Sequence, residues 1–118
     1  MSKNKYRLPF NNTWYVEYGG LTKKTSHSWD IISQRYAYDF EIRKNNLPYH
    51  DDYKNKENYY SYNEEIICPC DGFVIDMKNE YDDTKIIEDR PVICDIDDPR
   101  GNFNTINHVN GGSRTLCL

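Results

Sequence analysis

The feature that most constrains this chain is the spacing of its apolar residues: no stretch of about 12 repeats them at the 3.6-residue period of an amphipathic helix. Short runs of β-branched and aromatic residues, bounded by Gly, Pro, Asn or Asp, recur instead. They fall at 13–18 (TWYVEY), 36–42 (YAYDFEI), 65–68 (EIIC), 72–77 (GFVIDM), 91–96 (PVICDI) and 102–108 (NFNTINH). The pattern predicts an all-β, mainly antiparallel sheet, with a single helical turn within 29–34. Two polar stretches interrupt it. Residues 44–63 are long enough to predict a surface insertion, and 79–90 read as a loop between strands.

Composition bounds the classes of function. The chain has 118 residues, enough for one domain that buries roughly two-thirds of its unfolded surface, so a single domain over 1–118 is expected. Apolar residues make up only 37%, but eleven Tyr, four Phe and two Trp supply bulk that a disordered chain lacks. The net charge of −4 comes from interspersed residues, and no basic stripe alternates with aromatics, which excludes a nucleic-acid partner. No apolar run approaches a membrane span. The opening MSKNKYRLPF has positive charge without an apolar region behind it, so no signal peptide is visible and the sequence predicts a cytoplasmic chain. Cys68, Cys70, Cys94 and Cys117 are then expected as reduced thiols. Their spacing lacks the paired C-x₂₋₄-C knuckles of a structural zinc site.

Among chemistry-bearing residues, His27 and Asp39 stand first, because each is a metal-ligand type beside structure able to hold it. They are twelve positions apart and converge only if the segment between them loops back onto the strand YAYDFEI. On that strand Asp39 is expected to share a face with Ala37, while Tyr36, Tyr38 and Phe40 point the other way. His50 lies in the YHDDY insertion and is expected to be solvated. The pairs Asp51-Asp52, Asp82-Asp83 and Asp97-Asp98 lack the spacing of a calcium loop. Tyr59, Tyr60 and Tyr62 are either a carbohydrate platform or, more simply, packing for the insertion.

Taken in order, WYVEYGG, SH, QRYAYDF, YNEEIICPCDGFV and GNFNTINH resemble the lysostaphin-type zinc endopeptidases that cut peptide links in peptidoglycan. The likeness covers roughly residues 14–108. It implies that fold, built on a duplicated hybrid motif, and zinc held by His27 and Asp39. Asp30 stands only three residues after His27 and misses the family's shortest spacing by one, whereas Asp39 matches in strand context as well. His108 matches a family strand position that is not a metal or catalytic one, which implies a structural role.

The family's third ligand is the second His of an H-x-H pair, and its catalytic His belongs to a strand resembling L-Y-A-H-L. Neither is found in these 118 residues, so no catalytic residue is assigned and weak zinc binding is expected. The resemblance thus implies a zinc metalloendopeptidase-like domain for peptidoglycan peptides, inactive as it stands and incomplete at its C-terminus. A stop or frameshift near Gly112 and Ser113 is the expected origin. Family members are often exported or associated with the cell wall. The competing readings are a non-catalytic module that binds peptidoglycan or a partner enzyme, and an unstable gene fragment with an unpaired sheet edge.

Overall fold

A computed structural model describes residues 4–82, 100–108 and 111–118, with the backbone alone at 86–87 and 90–91. Its strands are β1 (Tyr15–Tyr18), β2 (Asp39–Glu41), β3 (Gly72–Lys78), β4 (Ile86–Ile87), β5 (Arg90–Pro91), β6 (Phe103–His108) and β7 (Ser113–Cys117). Every pairing is antiparallel, and the helical content among the described residues is two short 3-10 turns, Ile32–Gln34 and Lys56–Asn58. The expected all-β antiparallel class is what the structure shows. No helix among the described residues is long and apolar enough to cross a membrane. Two compact units divide the chain: Met1–Asn11 with Glu65–Leu118, and Asn12–Glu64.

The first unit is organised by β6, the middle strand of a sheet ordered β3-β6-β7. Phe103, Ile106 and His108 of this strand are buried, together with Phe10. Phe103 lies beneath the Arg100 guanidinium, 3.7 Å from its ring centroid. Thr105 and Thr115 share a hydroxyl hydrogen bond of 2.9 Å across β6 and β7, the kind of cross-strand pair that fixes register. The expected structural role of His108 agrees with its place: Nδ1 donates to the Asp71 carbonyl at 3.1 Å, and the Tyr6 ring meets it edge-on at 5.3 Å.

Two expectations for this unit need correction. Residues 65–68 form no strand. Their extended backbone meets the N-terminal segment through Ile67 N–H to Pro9 O and Arg7 N–H to Pro69 O, both 2.8 Å. Pro9 and Pro69 have no N–H to continue the ladder, so two bonds form and the pairing stops. Residues 79–90 are not all loop, since β4 pairs with β5 through Ile86 opposite Pro91 and Ile87 opposite Arg90. Of the expected strand at 91–96, residues 92–96 lie outside the described residues, as does Cys94. Cys68, Cys70 and Cys117 form no disulfide.

The second unit has no fully buried residue. Ring and cation contacts hold it instead. The insertion 44–63 folds on itself through bridges of Lys44 with Leu47 and Tyr49 with Tyr59. Its tight turns fall on Asn45, Asn46, Asp51 and Asn63, at φ between 52° and 64°, the residue types that best tolerate left-handed backbone. Tyr49 packs against Tyr53 and Tyr59, and Lys44 and Lys56 cover the rings of Tyr60 and Tyr62. Tyr59, Tyr60 and Tyr62 are half-buried, so packing of the insertion accounts for them.

Gly72 provides a test of the β3–β6 pairing. A Cβ there would sit 2.3 Å from the backbone oxygen of Asn107 and 2.8 Å from the Ile106 side chain, closer than real contacts allow. Since backbone cannot yield as a flexible side chain can, Gly72→Ala should destabilise the chain by about 1–3 kcal/mol, read from denaturant midpoints at unchanged slope.

Candidate functional site

The pairing of β1 with β2 begins regularly, with Tyr15 opposite Glu41 and Val16 opposite Phe40. Simple alternation would next set Glu17 against Asp39. Instead the register shifts, and Tyr18 stands opposite Asp39 with Glu17 as the extra residue of a β-bulge. A shift of one residue exchanges the two faces of a strand. Tyr18 is thereby delivered to the Asp39 side, where its ring stacks on the His27 imidazole at 4.8 Å and 26°.

His27 reaches this point through a braced loop. Gly19, at φ 148°, turns the chain out of β1, and a Cβ there would strike the Tyr38 ring at 2.2 Å. Its N–H donates to Thr25 O at 2.8 Å, and Thr22 O accepts from the N–H groups of Thr25 and Ser26. The Ser26 hydroxyl donates to Arg35 O at 2.7 Å, and Arg35 Nε donates to Trp29 O at 2.9 Å while its guanidinium covers the Trp29 ring. Ile32–Gln34 forms the 3-10 turn expected within 29–34. The chain then returns as β2. Asp39 opens that strand, so Ala37 lies outside it; Tyr38 and Phe40 do stack together, and Tyr36 packs edge-on against Trp29.

The loop brings His27 Nδ1 to 2.8 Å from Asp39 Oδ2. A carboxylate can only accept, so Nδ1 carries the proton and, in the neutral ring, Nε2 keeps its lone pair. The His27 side chain is 66% exposed and Nε2 has no hydrogen-bond partner among the described residues. A hydrogen bond this exposed, even with the imidazole charged, is worth at most about 1 kcal/mol. That is less than the roughly 1–2 kcal/mol needed to order one residue of loop backbone. The bracing bonds of the loop, more than the His27–Asp39 contact, therefore set the geometry.

Around the pair lies a charged group that sequence reasoning missed. Glu41 accepts from Arg43, whose guanidinium covers the Tyr15 ring at 3.7 Å. Burial pushes the Glu17 carboxyl above its ordinary value, Glu41 and Asp39 add to the rise, and Arg43 and His27 oppose it. The signal available in the sequence was one acid inside an otherwise aromatic and apolar run, WYVEY. What hid its meaning was the bulge, which no alternation rule predicts.

Zinc bonds of about 2.0–2.1 Å at tetrahedral angles place two ligand atoms roughly 3.3 Å apart. The 2.8 Å separation of Nδ1 and Oδ2 is therefore a hydrogen bond, which must open by about half an ångström for both atoms to ligate one ion. Nε2 can ligate without such movement, with Asp39 behind the ring as its carboxylate partner. The donor types fit zinc. Among the described residues no group of three or more His, Cys, Asp or Glu side chains is gathered as a metal site. His50 instead bonds Asp51 at 2.9 Å beside Tyr60, within the insertion.

Compared with known proteins, the chain matches no family model, no curated protein and no solved structure.

The Glu17 carboxyl yields a pH test. Its raised value means that the folded chain binds this proton more tightly than the unfolded chain. The resulting stabilisation is complete below the ordinary glutamate range and is lost as pH rises through the raised value. Glu17→Gln, neutral throughout, should melt above the parent at about pH 7 and match it near about pH 4 in paired thermal scans.

Proposed function

We propose that this chain supplies part of the zinc site of a lysostaphin-type metallopeptidase-like domain, whose substrate class is the peptide links of peptidoglycan. The observation that supports this reading is the approach of His27 Nδ1 to Asp39 Oδ2 at 2.8 Å. Residues twelve positions apart, each in the motif context that the resemblance assigns to a ligand, meet in space through a loop built around them. The antiparallel sheets are read as belonging to that family's fold.

When bound, zinc supplies Lewis-acid activation for peptide-bond hydrolysis. His27 offers an exposed imidazole whose Nε2 has no hydrogen-bond partner among the described residues. Asp39 offers a carboxylate, either as a second ligand or as the acceptor that holds the imidazole proton at Nδ1. The sequence has three histidines, His27, His50 and His108, and contains no H-x-H pair. His108 is buried within the β6 sheet, and His50 bonds its own neighbour. The 118 residues therefore bind zinc weakly and do not turn over substrate.

Titration calorimetry of the chain with zinc should give binding far short of the roughly 10–16 kcal/mol of a complete structural site. His27→Ala and Asp39→Ala should each abolish what remains, and a purified peptidoglycan suspension should release no new amino groups. Zinc binding unchanged in both variants would remove the site. Tight one-to-one binding with peptide hydrolysis would show that the chain is a complete enzyme.

A further inference from the structure

Among the described residues the His27 imidazole makes one hydrogen bond and one ring contact: the Asp39 carboxylate at one ring nitrogen and the Tyr18 ring on its face. A single hydrogen bond leaves a ring free to pivot about that bond. A ring stacked at 26° and 4.8 Å removes the pivot, because tilting the imidazole drives its edge into the Tyr18 ring. Tyr18 is there only because of the bulge. In a regular β1–β2 ladder Glu17 would oppose Asp39, and Tyr18 would turn to the other face of the strand.

We infer that Tyr18 is a positioning residue for His27: through the Glu17 bulge its ring clamps the imidazole, so that Nδ1 faces Asp39 and Nε2 points away from the protein as the available donor atom. The clamp depends on the proposed metal site only for what Nε2 is offered to; the ring orientation is a property of the metal-free chain. The magnitudes favour a joint device. A ring pair contributes about 0.5–1.5 kcal/mol, comparable with the exposed hydrogen bond, so neither contact fixes the imidazole alone. Tyr18 also requires no hydroxyl for this role, since no hydrogen bond joins its oxygen to His27 among the described residues.

The experiment reads the imidazole directly. Two-bond ¹H–¹⁵N correlation spectra of the metal-free chain, recorded in alkaline buffer, distinguish a neutral ring protonated at Nδ1 from one exchanging between tautomers. The parent chain and Tyr18→Phe should show His27 protonated at Nδ1. Tyr18→Ala and Tyr18→Leu should show averaged nitrogen shifts, with the signals of His50, in the same compact unit, unchanged as the control for folding. Tyr18→Leu keeps bulk and strand preference, so the comparison survives if Tyr18→Ala unfolds. Zinc affinity should fall about two- to tenfold in Tyr18→Leu and hold in Tyr18→Phe. An unaltered His27 pattern in Tyr18→Leu, or a Tyr18→Phe chain that behaves like Tyr18→Leu, would overturn the inference. A parent chain with the clamped pattern but no zinc binding would leave the clamp standing and remove the metal reading alone.

Discussion

The short antiparallel pairing of β1 with β2, and the one extra residue it accommodates at Glu17, is the constraint on which the candidate site depends. Three register pairs are all that this ladder has. By inserting Glu17, it brings Tyr18, Asp39 and His27 together and leaves the Glu17 carboxyl in partly desolvated surroundings beside Glu41. Bulges commonly re-aim a side chain next to a site. Here the re-aimed side chain is a ring, and it stacks on the His27 imidazole.

The unit holding the site has no fully buried residue, and that has a physical consequence. Its order rests on stacked rings, guanidinium–ring contacts and turn hydrogen bonds, each worth about 0.5–1.5 kcal/mol. Such a unit is stable through many small terms and is sensitive to the loss of several at once. The β6-centred unit is different. Phe103, Ile106, Phe10 and His108 form its buried cluster, and the close approach at Gly72 fixes how β3 lies on β6. Along its outer strand β3, Phe73, Val74, Ile75 and Met77 are nonetheless exposed, an apolar edge of the kind that proteins usually cover.

Much of this was legible in the sequence, because strand signals are local. The alternating segments at 13–18, 72–77 and 102–108 became β1, β3 and β6 with small changes at their ends, and the helical turn before β2 fell where its residues placed it. The segment 65–68 looked equally strand-like but found only a proline-bearing partner, a fact about tertiary pairing that no local pattern contains. His27 and Asp39 were singled out as ligand types in suitable contexts, and the loop between them does return as required. Glu17 and Tyr18 were not singled out for any role. Their importance comes from a register shift, and register is decided by how a ladder closes on its partner and turn, not by the run of residues within one strand.

The central claim is that His27 and Asp39 face one another to receive a metal ion. Crystals of the chain soaked in zinc, with diffraction recorded on both sides of the zinc absorption edge, test it most directly. The account requires an anomalous peak about 2.0–2.2 Å from a His27 ring nitrogen, with Asp39 ligating it or bonded to the opposite nitrogen of the same ring. A peak confined to other residues, or no peak within bonding distance of either His27 ring nitrogen at saturating zinc, would contradict it.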